Sequence, residues 1–131
     1  MHIEINDNTT LQDIQETFSA YYPYLQIEFY NKGHKKYEMS DKRNVVYPGK
    51  KISEIKKTHL SALLEIQPWY KVADVEKEFQ QRFGLSVQVF WNENEAWHQT
   101  SGMDDFTLKE LNEMGWDSSD ESVITDYEQG S

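Results

Sequence analysis

One pattern of apolar residues occurs twice in this chain, 61 residues apart, and it constrains the fold more than any other feature. Ile3-Glu4-Ile5 lies over Leu64-Glu65-Ile66, and five residues of turn follow in both places. Leu11, Ile14, Phe18 and Tyr22 then lie over Val72, Val75, Phe79 and Phe83. Spacings of 3, 4 and 4 set four apolar side chains on one stripe of an α-helix. Pro23 stops the first helix because it has no N–H to donate, and Gly84 stops the second because it accepts a left-handed cap. Leu25-Gln26-Ile27-Glu28-Phe29-Tyr30 and Leu85-Ser86-Val87-Gln88-Val89-Phe90 alternate with period two, as half-buried strands do.

The flanking segments are read in the same way. Thr9 with Gln12 has the spacing of a capping box at the first helix start, whereas Tyr70 and Lys71 offer no such residue at the second. Residues 31–60 are rich in Lys, Asn, Gly and Ser, with turn signals at Asn31-Lys32-Gly33 and Pro48-Gly49. A long loop is predicted there, with a short helical turn at Ile52–Ile55. Asn92-Glu93-Asn94-Glu95 reads as a hairpin loop leading into a strand Ala96-Trp97-His98-Gln99-Thr100. Thr107 and Glu110 form a second capping box, and Phe106 and Leu111 have the spacing of a hydrophobic staple. These predict a short helix from Leu108 to Met114, ended by Gly115. Residues 117–131 hold five acids and no base, too little apolar surface to offset the entropy of ordering, and read as a disordered acidic tail.

Two tandem strand–helix–strand units give the order β-α-β-β-α-β, which points to an α+β ferredoxin-like sandwich followed by the hairpin strand and short helix. Right-handed crossovers place both helices on one sheet face, over Leu25, Ile27, Phe29, Leu85, Val87 and Val89. The other face carries Gln26, Glu28, Tyr30, Ser86, Gln88 and Phe90. A β-grasp-like arrangement of the same elements is the competing architecture. At 131 residues the expectation is a single domain over 1–116, with 32–57 as a basic loop insertion.

Charge is distributed unevenly within a net −10. Residues 1–31 carry five acids and no Lys or Arg, residues 32–57 carry nine Lys or Arg against three acids, and residues 93–131 carry eleven acids with only Lys109. The basic stretch, with Tyr37 and Tyr47 among its lysines, is either a solvated loop or an anion-binding patch. With no cysteine, disulfides, thiolate metal sites and thiol nucleophiles are excluded. Neither a leader pattern nor a bilayer-length apolar run is present, so the expected setting is cytoplasmic and off the membrane.

Chemistry-bearing motifs are sparse. His2, His34, His59 and His98 are scattered without metal-ligand spacing, so no metal and no cofactor are expected. His98, on a strand beside a hairpin, is the one candidate acid–base group, provided Asp104 or Asp105 holds its imidazole. Asp104 and Asp105 together with Glu93 and Glu95 also suggest a cation site, but a helix N-terminus accounts for Asp105 better. No phosphate-cradling or nucleophile-elbow motif occurs. Nucleic acid is disfavoured because Ile3-Glu4-Ile5 and Leu64-Glu65-Ile66 put a glutamate where RNA-recognition strands need a stacking ring.

The run Val87-Gln88-Val89-Phe90-Trp91, followed by Trp97-His98-Gln99-Thr100 and Asp104-Asp105-Phe106-Thr107-Leu108, resembles a small uncharacterised family of bacterial cytosolic proteins. The resemblance extends to the helix and strand from Leu11 to Phe29. It implies no familiar enzyme and brings no catalytic residue with it. Three functional readings follow. The first is a non-enzymatic interaction module that docks a protein partner or a second copy through Tyr30, Phe90, Trp91 and Trp97. The second is an acidic inhibitor or immunity-type protein, or a nucleic-acid mimic, that occupies a basic partner. The third is an enzyme built on His98 and nearby carboxylates.

Overall fold

In a computed structural model the described residues are 1–31, 44–55 and 62–130, with side chains described through Ser119. The predicted loop over 32–43 and 56–61, with Tyr37, His34 and His59, lies outside them. The chain is α+β, with strands β1 (His2–Ile5), β2 (Leu25–Tyr30), β3 (Ala62–Glu65), β4 (Ser86–Glu93) and β5 (Ala96–Gln99). The helices are α1 (Leu11–Tyr21), α2 (Ile52–Ile55), α3 (Val72–Phe83) and α4 (Leu108–Gly130). Among the described residues no helix is long and apolar enough to cross a membrane.

Helix α1 starts one residue later than the Thr9–Gln12 pattern predicts. Thr10 is the N-cap, its Oγ1 accepting the Asp13 N–H at 3.1 Å while Asp13 Oδ2 accepts the Thr10 N–H at 3.0 Å. Thr9 is occupied in the turn before, where its Oγ1 accepts the Asn6 N–H. At α3 the Lys71 N–H donates to Asp74 Oδ2 at 2.9 Å, so a carboxylate serves this start without a capping hydroxyl. The stops occur as read: Tyr22 before Pro23 donates to the Phe18 carbonyl, and Gly84, at φ +63°, closes α3.

Strand pairing departs from the single sheet of a ferredoxin-like sandwich. That topology needs β2 beside β3, but β1 pairs with β3 in one antiparallel sheet and β2 pairs with β4, which pairs with β5, in another. The reason lies in matched alternation. Antiparallel pairing sets Leu25 opposite Trp91, Ile27 opposite Val89 and Phe29 opposite Val87, so one continuous apolar face is presented to the helices. In the short sheet Ile3 faces Leu64. Leu11, Ile14 and Phe18 of α1 and Val72, Val75 and Phe79 of α3 are completely buried on this face. The Phe29 and Phe79 rings meet edge to face at 5.4 Å.

The starts of α1 and α3 receive similar backbone bonds. Leu11 and Gln12 donate to the carbonyls of Lys50 and Pro48, as Val72 and Ala73 donate to those of Phe106 and Asp104. Ile52, opening α2, donates to the Thr9 carbonyl, as Leu108, opening α4, donates to that of Tyr70. Val46 N–H reaches the Phe29 carbonyl and Thr100 N–H the Val89 carbonyl. Each helix start is held by a buried apolar residue, Ile52 or Leu108.

Helix α4 begins as predicted, with Thr107 and Glu110 bonded reciprocally. It does not end at Gly115. A Cβ there would lie 2.6 Å from Tyr24 Cβ and 2.9 Å from the Asn92 carbonyl oxygen, so this glycine marks a close approach of the helix to β2 and β4 and not a cap. Asn112 Oδ1 accepts the Tyr24 N–H on the same face. The helical span covers most of the predicted disordered tail, whose side chains beyond Ser119 lie outside the described residues. The β4–β5 hairpin is longer than predicted, so its loop is only Asn94–Glu95, both at positive φ. Asn94 is tied to α4 by two 2.8 Å bonds with the Ser118 hydroxyl.

Candidate functional site

With Leu25, Ile27, Phe29, Val87 and Val89 buried, the opposite face of the β2–β4–β5 sheet carries Gln26, Glu28 and Tyr30 beside Phe90, Gln88 and Ser86. The register pairs Gln26 with Phe90, Glu28 with Gln88 and Tyr30 with Ser86, and β5 adds Gln99 beside Phe90. Tyr30 and Phe90 therefore occupy opposite ends of the face, about 13 Å apart along β4 at the usual strand rise. This antiparallel register separates the two rings, which the sequence reading places in one contact surface.

The two ends differ in exposure. Tyr30 is only 2% exposed, so it is a core residue and not a contact residue. Its hydroxyl donates to Glu28 Oε2 at 2.9 Å. Burial, and after it the Glu28 carboxylate, pushes the phenol well above its ordinary value. Gln88 next to it is 1% exposed, its amide donating to the Val89 carbonyl and to Thr100 Oγ1. At the other end the face opens into a concavity of about 530 Å³. Gln26, Glu28 and Phe90 line it from the central strands, Trp97, His98 and Gln99 from β5, and Val45 from the segment bridged to Tyr30. Phe90 is half-buried and Trp97 is 42% exposed.

The remaining predicted residues separate. Trp91 stands on the inner face between Leu25 and His98 and packs against the core, so it does not belong with Phe90 and Trp97 as a contact residue. The carboxylate near His98 is that of Glu93, with Nε2 and Oε2 4.0 Å apart. Asp104 is buried, and its carbonyl accepts the Ala73 N–H at the start of α3, while Asp105 is exposed ahead of α4. Neither lines the concavity. Among the described residues no three His, Asp or Glu side chains converge as a metal site. Gln26, Glu28, Val45 and Gln99 were not read as site residues. Strand alternation already places Gln26 and Glu28 on the face of Phe90, but only the register brings them together.

The concavity thus combines two aromatic walls, two amides and a carboxylate anchored by a buried phenol, with no Lys or Arg among its described lining residues. Such a surface can grip a ligand by stacking and hydrogen bonding, and among its described lining residues there is no nucleophile paired with a base. Comparison with protein-family models, curated proteins and solved structures finds no match to this chain.

Proposed function

We propose that this chain is a non-enzymatic protein-interaction module whose contact surface is the open end of the β2–β4–β5 sheet, centred on Phe90 and Trp97. The observation that carries this reading is the concavity itself, in which two partly exposed rings stand among polar groups on a rigid sheet. That is the composition of an interface anchor with its polar rim. An acid–base reading of His98 has less support, because its neighbouring carboxylate is the exposed Glu93 on the same hairpin. A cysteine-free acidic chain suits a cytoplasmic setting.

The architecture is part of the proposal. The matching bonds at α1 and α3, at α2 and α4, and at Val46 and Thr100 support an internal duplication of one β-α-β-β-α element. Its approximate twofold axis would pass between Ile3 and Leu64 and between Glu28 and Gln88. Affinity capture from a native lysate tests the function. A protein, or a second copy, retained by the wild type and by Trp69→Ala, an exposed ring elsewhere, should be lost by Phe90→Ala/Trp97→Ala with unchanged circular dichroism. Retention by the folded double variant removes the open sheet end as the contact surface.

A further inference from the structure

The register sets the polar groups of the concavity around one ring. Phe90 lies directly between Gln26 on β2 and Gln99 on β5, so it has an amide on either side at the strand spacing of about 5 Å. Glu28, level with Gln88, and Trp97, level with Asn92, are its diagonal neighbours on opposite sides of that row, each about 7–8 Å away. All five residues line the concavity. Trp97 is therefore a second apolar platform diagonal to the first, and the Glu28 carboxylate stands at the far corner. Its Oε2 accepts the Tyr30 hydroxyl at 2.9 Å, and one such bond leaves a carboxylate with most of its accepting capacity.

Charge does not select the ligand. Glu28 is an acid, whereas Val45 belongs to the stretch 32–57, in which nine Lys or Arg stand against three acids. Selection falls to shape and hydrogen bonding. An aromatic or aliphatic ligand stacked on Phe90 would take Gln26, Gln99 and Glu28 out of water without replacing their hydrogen bonds, which is costly. A pyranose ring avoids that cost. Its C–H face packs on an aromatic ring while its rim of hydroxyls both donates and accepts, as two amides and a carboxylate require. Two rings set diagonally on one sheet face suit two successive units of an extended sugar chain, and a concavity of about 530 Å³ is large enough to hold them. Resting on the reading of the open sheet end as a contact surface without catalysis, we infer that it binds a neutral, extended oligosaccharide, with one unit on Phe90 bonded by Gln26, Gln99 and Glu28 and the next unit on Trp97.

The full chain is titrated calorimetrically with cellohexaose, mannohexaose and chitohexaose, whose backbones are extended, and with their single sugar units. A heparin hexasaccharide serves as the anionic probe. At least one neutral chain should bind saturably and about tenfold more tightly than its own monosaccharide, because a second stacked ring is added. Trp97→Ala should remove that dependence on length, and Gln26→Leu/Gln99→Leu should abolish binding, both with unchanged circular dichroism. Failure of every neutral chain to bind the wild type overturns the inference without reliance on any variant. So does tighter binding of the heparin hexasaccharide that high salt removes, which would assign binding to the basic stretch. If Phe90→Ala/Trp97→Ala loses a captured protein while no neutral chain binds the wild type, the protein-contact surface stands and the saccharide assignment falls. If a neutral chain binds with the expected dependence on length while no protein is captured, the saccharide site stands and the protein-contact reading falls.

Discussion

The two ends of the outer sheet face began from similar material and met different fates. At one end Tyr30 is sealed and bonded to Glu28; at the other Phe90, its counterpart in the proposed duplication, stands half-buried at the edge of a concavity. Strand parity is the same for both rings. What differs is the surroundings: β5 follows β4 through a two-residue loop, whereas beside the end of β2 the Asn44 carbonyl accepts the Asn31 N–H and Val45 bridges to Tyr30. A local pattern thus decides which face a ring is on, and the neighbouring chain decides whether that ring is core or contact surface.

The largest test of this comparison concerns the elements the two units share. Phe18 and Phe79 are both fully buried, and each substitution by Ala should cost about 3–5 kcal/mol in urea denaturation. A near-neutral effect at either position breaks the equivalence of the units. The next test separates the two ends of the face. Tyr30→Ala should cost about 3 kcal/mol or more, while Phe90→Ala, which leaves a side chain already partly in water, should cost about 1 kcal/mol. Equal costs would mean that both ends are core.

Gly115→Ala sharpens the contrast between α2, a single turn, and α4, which continues over the hairpin. A methyl group directed at Tyr24 and the Asn92 carbonyl should destabilise by about 1–3 kcal/mol despite the better helix propensity of alanine. A gain in stability would show that α4 can lift away at no cost. The smallest effect is a titration. The Tyr30 phenol, raised from 10.0, keeps its proton longer when folded, so its contribution is complete below about pH 10 and is lost as pH rises further. Tyr30→Phe should cost about 1 kcal/mol at neutral pH and lessen the alkaline fall in stability. An unchanged alkaline slope would remove Tyr30 as its source.

The elements were legible because their periodicity is local. Leu11-Ile14-Phe18 and Val72-Val75-Phe79 declare a helical stripe, and α2, β2 and the start of α4 lie where their patterns put them. Pairing was not legible. Alternation in Leu25–Tyr30 states which side chains face the core but not which strand lies alongside, and the site depends on that register. Two smaller departures have specific causes. Adjacent threonines shifted the α1 cap from Thr9 to Thr10, where Asp13 completes the box. Gly115 was read as a stop because glycine commonly ends helices, whereas here it answers the proximity of Tyr24. Phe90 and Trp97 could be read as candidates, but Glu28 could not, since only the Tyr30 bond and the concavity distinguish it from an ordinary surface acid.

The pairing of β1 with β3 and of β2 with β4 bears on how the chain is made as well as how it stands. Neither β1 with β2 nor β3 with β4 forms a sheet of its own, because each pairs with a strand from the other half of the chain. During synthesis the amino-terminal half leaves the ribosome with β1 and β2 lacking those partners and with the apolar side of α1 uncovered. It cannot complete its structure until β4 has been translated. Distant pairings of this kind slow folding and lengthen the interval in which strand edges are open to other chains.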